Sequence, residues 1–212
     1  MTTDLHANTT TAYVPERRQT PHPREYAHIV LKTARTKDMI AWYCKALGMS
    51  VVLETPFISF LTWDDSQDRL ALIEVPQAAA MRGPQSNLHH VAFTYDRLAD
   101  TVSVYRALKA EGIEPHWCVN HGVATSFYYH DPDQNSVELS VENFPDRDTL
   151  NAWLRTGAFN RNPIGVTLDP DELAARVESG EPEASILQPH PEHGDLLQPE
   201  LERIMRERQA QA

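Results

Sequence analysis

Cysteine is nearly absent from this chain: there are two, Cys44 and Cys118, in 212 residues. Two thiols so far apart make neither a cysteine metal cluster nor the disulfide framework of a small secreted domain. Basic charge is also scarce, with 19 Lys and Arg against 30 Asp and Glu and a formal net charge of -11. Such a surface repels phosphate backbones and anionic headgroups, so neither nucleic acid nor a membrane is an expected partner. No run approaches the ~18 consecutive apolar positions of a membrane helix, and the Thr-rich N-terminus lacks the short apolar core of an export signal. A cytoplasmic location is the expectation. What the chain does have is 41% hydrophobic residues, enough to bury one good core at this length.

Residues 1–24 combine Thr, Pro, Arg and His with little that could repay ordering, and read as a flexible arm. From Tyr26 the pattern changes. HIVLKT is a short apolar run, and KDMIAWYCKALG then shows helical spacing through Met39, Ile40, Tyr43 and Leu47, closed by Gly48. Three strand-like runs follow, near Ser50 to Leu53, Ile58 to Trp63 and Arg69 to Val75, separated by Pro56 and by the polar DDSQD turn. The same grammar restarts at Leu88: HVAFTY as strand, DRLADTVSVYRALKAEG as amphipathic helix, then strands near Glu114 to Val119, Ala124 to His130 and Ser136 to Val141. Two βαβββ modules are therefore expected, at 25–80 and 88–143, within one α+β domain over 25–145. In the remaining 146–212, DRDTLNAWLRTG and DPDELAARVESG read as short helices, and the rest, rich in Pro, His and Glu, as a loosely held tail. With tails at both ends, a homo-oligomer, in its simplest form a dimer, is the expected assembly.

The modules repeat in detail. His28-Ile-Val-Leu matches His90-Val-Ala-Phe, and a tyrosine stands fifteen residues after each histidine (28 to 43 and 90 to 105). Each module also carries a glutamate in its fourth strand, Glu74 and Glu138, 46 and 48 residues after the histidine (28 to 74 and 90 to 138). A repeat of about 62 residues (28 to 90) that occurs twice describes two half-domains closing on a shared cleft rather than a solenoid. Two imidazoles and one carboxylate converging with open positions form the facial triad that suits nonheme iron(II), and His28, His90 and Glu138 can supply it. Packing alone does not require histidines at equivalent strand starts, each matched by a fourth-strand glutamate. His89 points the opposite way from His90 on an extended strand, as an outer or a pocket residue. Glu74 is either a water-facing carboxylate or a fourth ligand, and the fourth-ligand case favours Lewis-acid and proton-transfer chemistry. Phe60, Trp63, Phe93 and Trp117 are candidate pocket aromatics, though each is as readily plain core.

On these residues, the chain from about Arg24 to Phe144 resembles the vicinal oxygen chelate superfamily, which includes glyoxalases, antibiotic-resistance proteins and extradiol ring-cleaving dioxygenases. The stretch NHGVATSFYYHDPDQNSVELSVENF is most similar to the one-domain extradiol dioxygenases of the biphenyl-2,3-diol and catechol type, and AFNRNPIGVTLDPDELAARVESGEPEA is similar to the same group. The resemblance implies a partly closed barrel around a metal site, with iron(II) on His28, His90 and Glu138; Mn, Ni and Zn are the alternative metals. It implies further that Tyr128 hydrogen-bonds a substrate oxygen and that His121 is a nearby acid and base. The expected partners are a catechol-like, or hydroquinone- or gentisate-like, aromatic compound and dioxygen. A glyoxalase-like isomerase or lyase using Glu74 as a fourth ligand is the alternative. Two positions depart from the family pattern: Gln134 stands where glycine usually follows DPD, and Glu74 where ring-cleaving members commonly lack a ligand.

Overall fold

The computed structural model describes residues 23–79 and 88–189, so the expected arm, apart from its last two residues, and the chain from 190 onward lie outside the described residues. The first module runs β1 (Ile29–Thr33), α1 (Thr36–Leu47), β2 (Ser50–Glu54), β3 (Ile58–Thr62) and β4 (Leu70–Glu74). The second runs β5 (Val91–Thr94), α2 (Leu98–Ala110), β6 (Trp117–Asn120), β7 (Ala124–His130) and β8 (Ser136–Glu142). After them come α3 (Arg147–Leu154), α4 (Ala158–Arg161), β9 (Val166–Thr167), α5 (Pro170–Glu178) and α6 (Glu183–Ile186). The class is α+β with two sheets, ordered β1-β4-β3-β2 and β5-β8-β7-β6-β9.

In each module the crossover helix makes the first and fourth strands parallel neighbours, and the hairpins make the rest antiparallel. Side chains alternate across the pleat, so in β1 Leu31 and Thr33 are buried while Val30 and Lys32 are exposed. Met39, Tyr43 and Ala46 of α1 join Val102, Tyr105 and Leu108 of α2 in one apolar cluster with the buried strand residues. Burial of this cluster is the main driving force of the fold. Gly48 ends α1 in the left-handed conformation, φ 62°, as its place after the last periodic leucine predicts.

The two modules are tied by the turn between β7 and β8. The buried Asp131 carboxylate accepts from Asp133 N and Asn135 N, both at 2.9 Å, and from Asn135 Nδ2 at 2.8 Å. It also accepts from the Tyr43 hydroxyl on α1 at 3.0 Å. Gln134 in this turn has φ 68°, a left-handed backbone in a non-glycine residue. Gln134, where the resemblance leads one to expect glycine, therefore sits where an L side chain is strained. Gln134→Gly is expected to stabilise the protein by roughly 0.5–1 kcal/mol, the left-handed penalty less the extra chain entropy of glycine. At this chain length that raises the melting temperature by about 1–4 °C, which calorimetry measures.

Residues 181–189, the described part of the stretch expected to be loosely held, pack against the domain, as do residues 158–180 before them. β9 extends the second sheet, pairing Val119 with Thr167 and Asn120 with Val166. Leu173, Ala174, Ile186 and Leu187 are buried in the main cluster. Tyr105, Arg106 and Lys109 on α2 all hydrogen-bond Asp171 on α5. Helix α2 has no side-chain cap of its own, and Glu183 supplies one from 85 residues away, accepting from Leu98 N at 3.2 Å and Ala99 N at 3.1 Å. A carboxylate at a helix N-terminus satisfies free N–H groups and opposes the helix dipole favourably. A reading by composition sees Pro and Glu and misses these contacts, because each is made with residues distant in sequence. Among the described residues no helix is long and apolar enough to cross a membrane.

Candidate metal centre and active site

Strand register decides what each module offers on its open face. In the second module, Glu138 pairs with Ala92 on β5 and with Tyr128 on β7, and Ser140 pairs with Ser126. His90, immediately before β5, is on the same face as Ala92 and so as Glu138. Its Nε2 lies 2.9 Å from Glu138 Oε2. The other carboxylate oxygen, Oε1, accepts a 2.5 Å hydrogen bond from the Ser126 hydroxyl, and Ser126 is fully buried. Glu138 itself is only 7% exposed. It is held from both sides with one oxygen turned to an imidazole.

Tyr128, beside Glu138, is 3.0 Å from His121 Nε2, and His121 Nδ1 hydrogen-bonds the carbonyl of Ile164 just before β9. Trp117 stacks on the Tyr128 ring, with centroids 5.1 Å apart. Burial, with the Glu138 charge next, pushes the Tyr128 phenol above its ordinary range, so it stays a hydroxyl donor. Burial lowers the His121 pKa below the ordinary 6.5, against the opposing pull of the Ile164 carbonyl. The imidazole is neutral near pH 7 and can accept a proton there.

The structure thus brings His90, Glu138, Tyr128 and His121 together, and adds Ser126, which the sequence did not single out. The only advance signal for Ser126 was its place two residues before Tyr128, on the same strand face. His28 is not part of the group. Its side chain is 43% exposed, with Nδ1 3.1 Å from Asp68 Oδ2. Among the described residues no set of three or more His, Cys, Asp or Glu converges as a metal site. His89 is exposed, 2.7 Å from His90 through their Nδ1 atoms.

The first module carries the same face without the chemistry. With His28 aligned to His90, Val30 corresponds to Ala92, and Val30 pairs with Ala71. Ala71 therefore occupies the place of Glu138, Phe60 that of Tyr128, Ile73 that of Ser140 and Ile58 that of Ser126. Glu74 falls three residues beyond Ala71, on the opposite face of the strand, where it pairs with the buried Thr33. Its Oε2 accepts a hydrogen bond from Thr36 at the start of α1. As a fourth ligand Glu74 is misplaced, and this removes the His2Glu2 site that the sequence left open. Glu74→Gln is expected to leave bound metal per chain unchanged by elemental analysis and to lower stability by less than about 1 kcal/mol, the net value of one hydrogen bond. Loss of metal in that variant would restore Glu74 as a ligand.

Of the candidate pocket aromatics, Trp63 and Phe93 meet edge to face at 5.5 Å and line a cavity of about 610 Å³ at the seam of the modules, together with Ile29, Leu47 and Val91. Phe60 lies half-buried on the first module's open face, and Trp117 belongs to the Tyr128 stack.

A family model of the Glyoxalase/Bleomycin resistance protein/Dioxygenase superfamily matches residues 25–139. The chain belongs to that superfamily. Within it the chain is an enzyme of the ring-cleaving dioxygenase type, as two relatives from Rhodococcus globerulus show. It is 40% identical over 159 residues to biphenyl-2,3-diol 1,2-dioxygenase 2, covering 74% of this chain and 84% of that protein. It is 38% identical over 162 residues to biphenyl-2,3-diol 1,2-dioxygenase 3, covering 76% and 85%. Among solved structures, a glyoxalase/dioxygenase from Nostoc punctiforme overlays with a TM-score of 0.49 at 16% identity, over 60% of this chain and 99% of that one.

Proposed function

We propose that the protein is an iron(II)-dependent extradiol dioxygenase that opens the ring of a vicinal aromatic diol such as a catechol or a biphenyl-2,3-diol, with His28, His90 and Glu138 as the metal ligands. The observation that carries the proposal is the asymmetry of the duplicated face. Both modules keep the histidine, but only the second has the carboxylate, the tyrosine and the serines, whereas the first has Ala71, Phe60, Ile58 and Ile73 in their places. Two imidazoles and one carboxylate leave coordination positions free, as a reaction that joins two oxygen donors of a diol with dioxygen requires. An aromatic diol likewise has one polar edge and one apolar body, and the two faces match these.

The donor set fits such a metal. His90 Nε2 and Glu138 Oε2 face each other at 2.9 Å, a contact that needs a shared positive centre, whether a proton or a metal ion. The third donor, His28, stands at the equivalent strand start of the other module and has to turn from Asp68 to join them. When bound, iron(II) supplies the positive charge that favours the ionised diol and brings it together with dioxygen. The protein's own groups do the rest. Ser126 keeps the Glu138 carboxylate oriented. The neutral His121 takes a proton as the diol ionises and returns it later, and the Tyr128 hydroxyl donates to a substrate oxygen. The apolar residues of the first module hold the body of the ring and exclude water.

The test is anaerobic loading with iron(II), followed by oxygen uptake with a panel of catechols, biphenyl-2,3-diol, hydroquinone and gentisate. Stoichiometric uptake with a vicinal diol and a yellow ring-fission product is the expected outcome. Uptake only with the para diols would overturn the vicinal-diol assignment while leaving a ring-cleaving dioxygenase. No uptake with any diol would overturn the proposal.

A further inference from the structure

The role given to His121 above depends on which ring nitrogen carries the proton, and the loop from His121 to Val123 does not settle that by itself. The C-terminal segment does. His121 Nδ1 hydrogen-bonds the carbonyl oxygen of Ile164. A carbonyl can only accept, so Nδ1 carries the hydrogen, and in the neutral ring Nε2 then keeps its lone pair. Nε2 is the atom 3.0 Å from the Tyr128 hydroxyl.

The carbonyl is itself held in place. Asn162 is fully buried, and its side chain closes a ring with Gly165, donating from Nδ2 to Gly165 O and accepting at Oδ1 from Gly165 N, both at 3.0 Å. Gly165 has φ +102°, and a Cβ there would lie 2.3 Å from Asn120 O and 2.7 Å from His121 Cα. The turn thus presses bare backbone against the histidine's own main chain, a close approach that no other residue permits. Asn120, next to His121, is fastened to the same segment by its pairing with Val166 and by a 3.0 Å bond from its Nδ2 to Gln188 O.

We propose that the turn at residues 162–165 is a positioning element of the reaction centre: it selects the Nδ1-protonated form of His121 and leaves the basic Nε2 facing Tyr128. Asn162 and Gly165 are positioning residues in this scheme, acting through His121 without touching substrate. The catalytic meaning rests on the function proposed above, while the tautomer is a property of the protein whatever its substrate.

The test begins with protein labelled with ¹⁵N-histidine and loaded with diamagnetic zinc(II), observed above pH ~7.5 where an ordinary histidine is neutral. Two-bond ¹H–¹⁵N correlations distinguish the tautomers, and the His121→Ala variant identifies the His121 signals. The Nδ1-protonated pattern is expected, and the Nε2-protonated pattern overturns the proposal even if ring cleavage is robust. Gly165→Ala and Asn162→Ala, loaded with iron(II), should then lose the fixed pattern and turn over about 10-fold more slowly or worse, within the range that a displaced acid/base group can account for. Iron per chain should be unchanged and KM within about twofold. Undiminished kcat in a variant whose His121 signals show the tautomer released also overturns the proposal. If neither variant folds, the spectrum of the unaltered protein still decides. Absence of ring cleavage by the unaltered enzyme would count against the proposed function and leave the tautomer result standing.

Discussion

Glu138→Gln is expected to leave a folded protein that no longer retains iron and no longer cleaves diols. The carboxylate is 7% exposed and, among the described residues, is the only anion in contact with His90, through the 2.9 Å approach of Oε2. Gln preserves the shape and keeps an oxygen for the Ser126 hydroxyl, so the change removes charge more than volume. The loss in metal affinity should exceed the roughly 10–100-fold that follows when only a ligand's supporting partner is altered, because here the ligand itself loses its charge. Dialysis against a weak chelator followed by iron analysis, with circular dichroism melts to confirm folding, reads the effect. Full iron content with near-normal turnover would remove Glu138 from the ligand set. Loss of both fold and iron in Glu138→Gln, with Glu138→Asp also unfolded, would make the residue structural instead.

His121→Ala is expected to separate chemistry from metal binding. Its ring contacts Tyr128 and the Ile164 carbonyl rather than His90 or Glu138, so iron per chain should be unchanged. Loss of a positioned acid/base group slows turnover by about 10²–10⁴-fold. Tyr128→Phe removes the hydroxyl facing the same nitrogen. Because the two groups touch, the double variant should be less impaired than the product of the single effects. The pH dependence follows from the direction of the shift. Burial lowers the His121 pKa below 6.5, so the neutral, proton-accepting form persists as pH falls through 6.5 and is lost only further down. The acid limb of kcat/KM should therefore lie below pH ~6.5 and disappear in His121→Ala. An acid limb above that value, or one that survives the substitution, would assign it to another group.

Much of the fold was legible without coordinates because its signals are local. The helical spacing of Met39, Tyr43 and Leu47, the Gly48 stop and the polar turns each depend on neighbours in the chain, and they mark the strands and helices to within a few residues. The duplication was legible because the second module restates the first from His28 to His90. Glu74 was misleading for a physical reason. Counting along the chain set it beside Glu138, at 46 against 48 residues from the histidine, but the modules differ in loop length. The true counterpart, Ala71, is 43 residues from His28 (28 to 71), five fewer than from His90 to Glu138. Near-equal counts thus concealed opposite strand faces, which only hydrogen-bonded pairing resolves.

The tail shows the same division. Composition marks residues after Gly180 as polar and Pro-rich, yet Glu183 caps a helix 85 positions away, and the carbonyl of Ile164 meets His121 across 43. The sequence alone determined the α+β modules, their duplication and a short roster of candidate histidines and glutamates, since side-chain periodicity and residue type are written residue by residue. The tertiary structure decided which glutamate meets a histidine, that Ser126 steadies it, and that the C-terminal segment holds His121. Those outcomes depend on strand register and on contacts between distant segments, which loop lengths and packing set together.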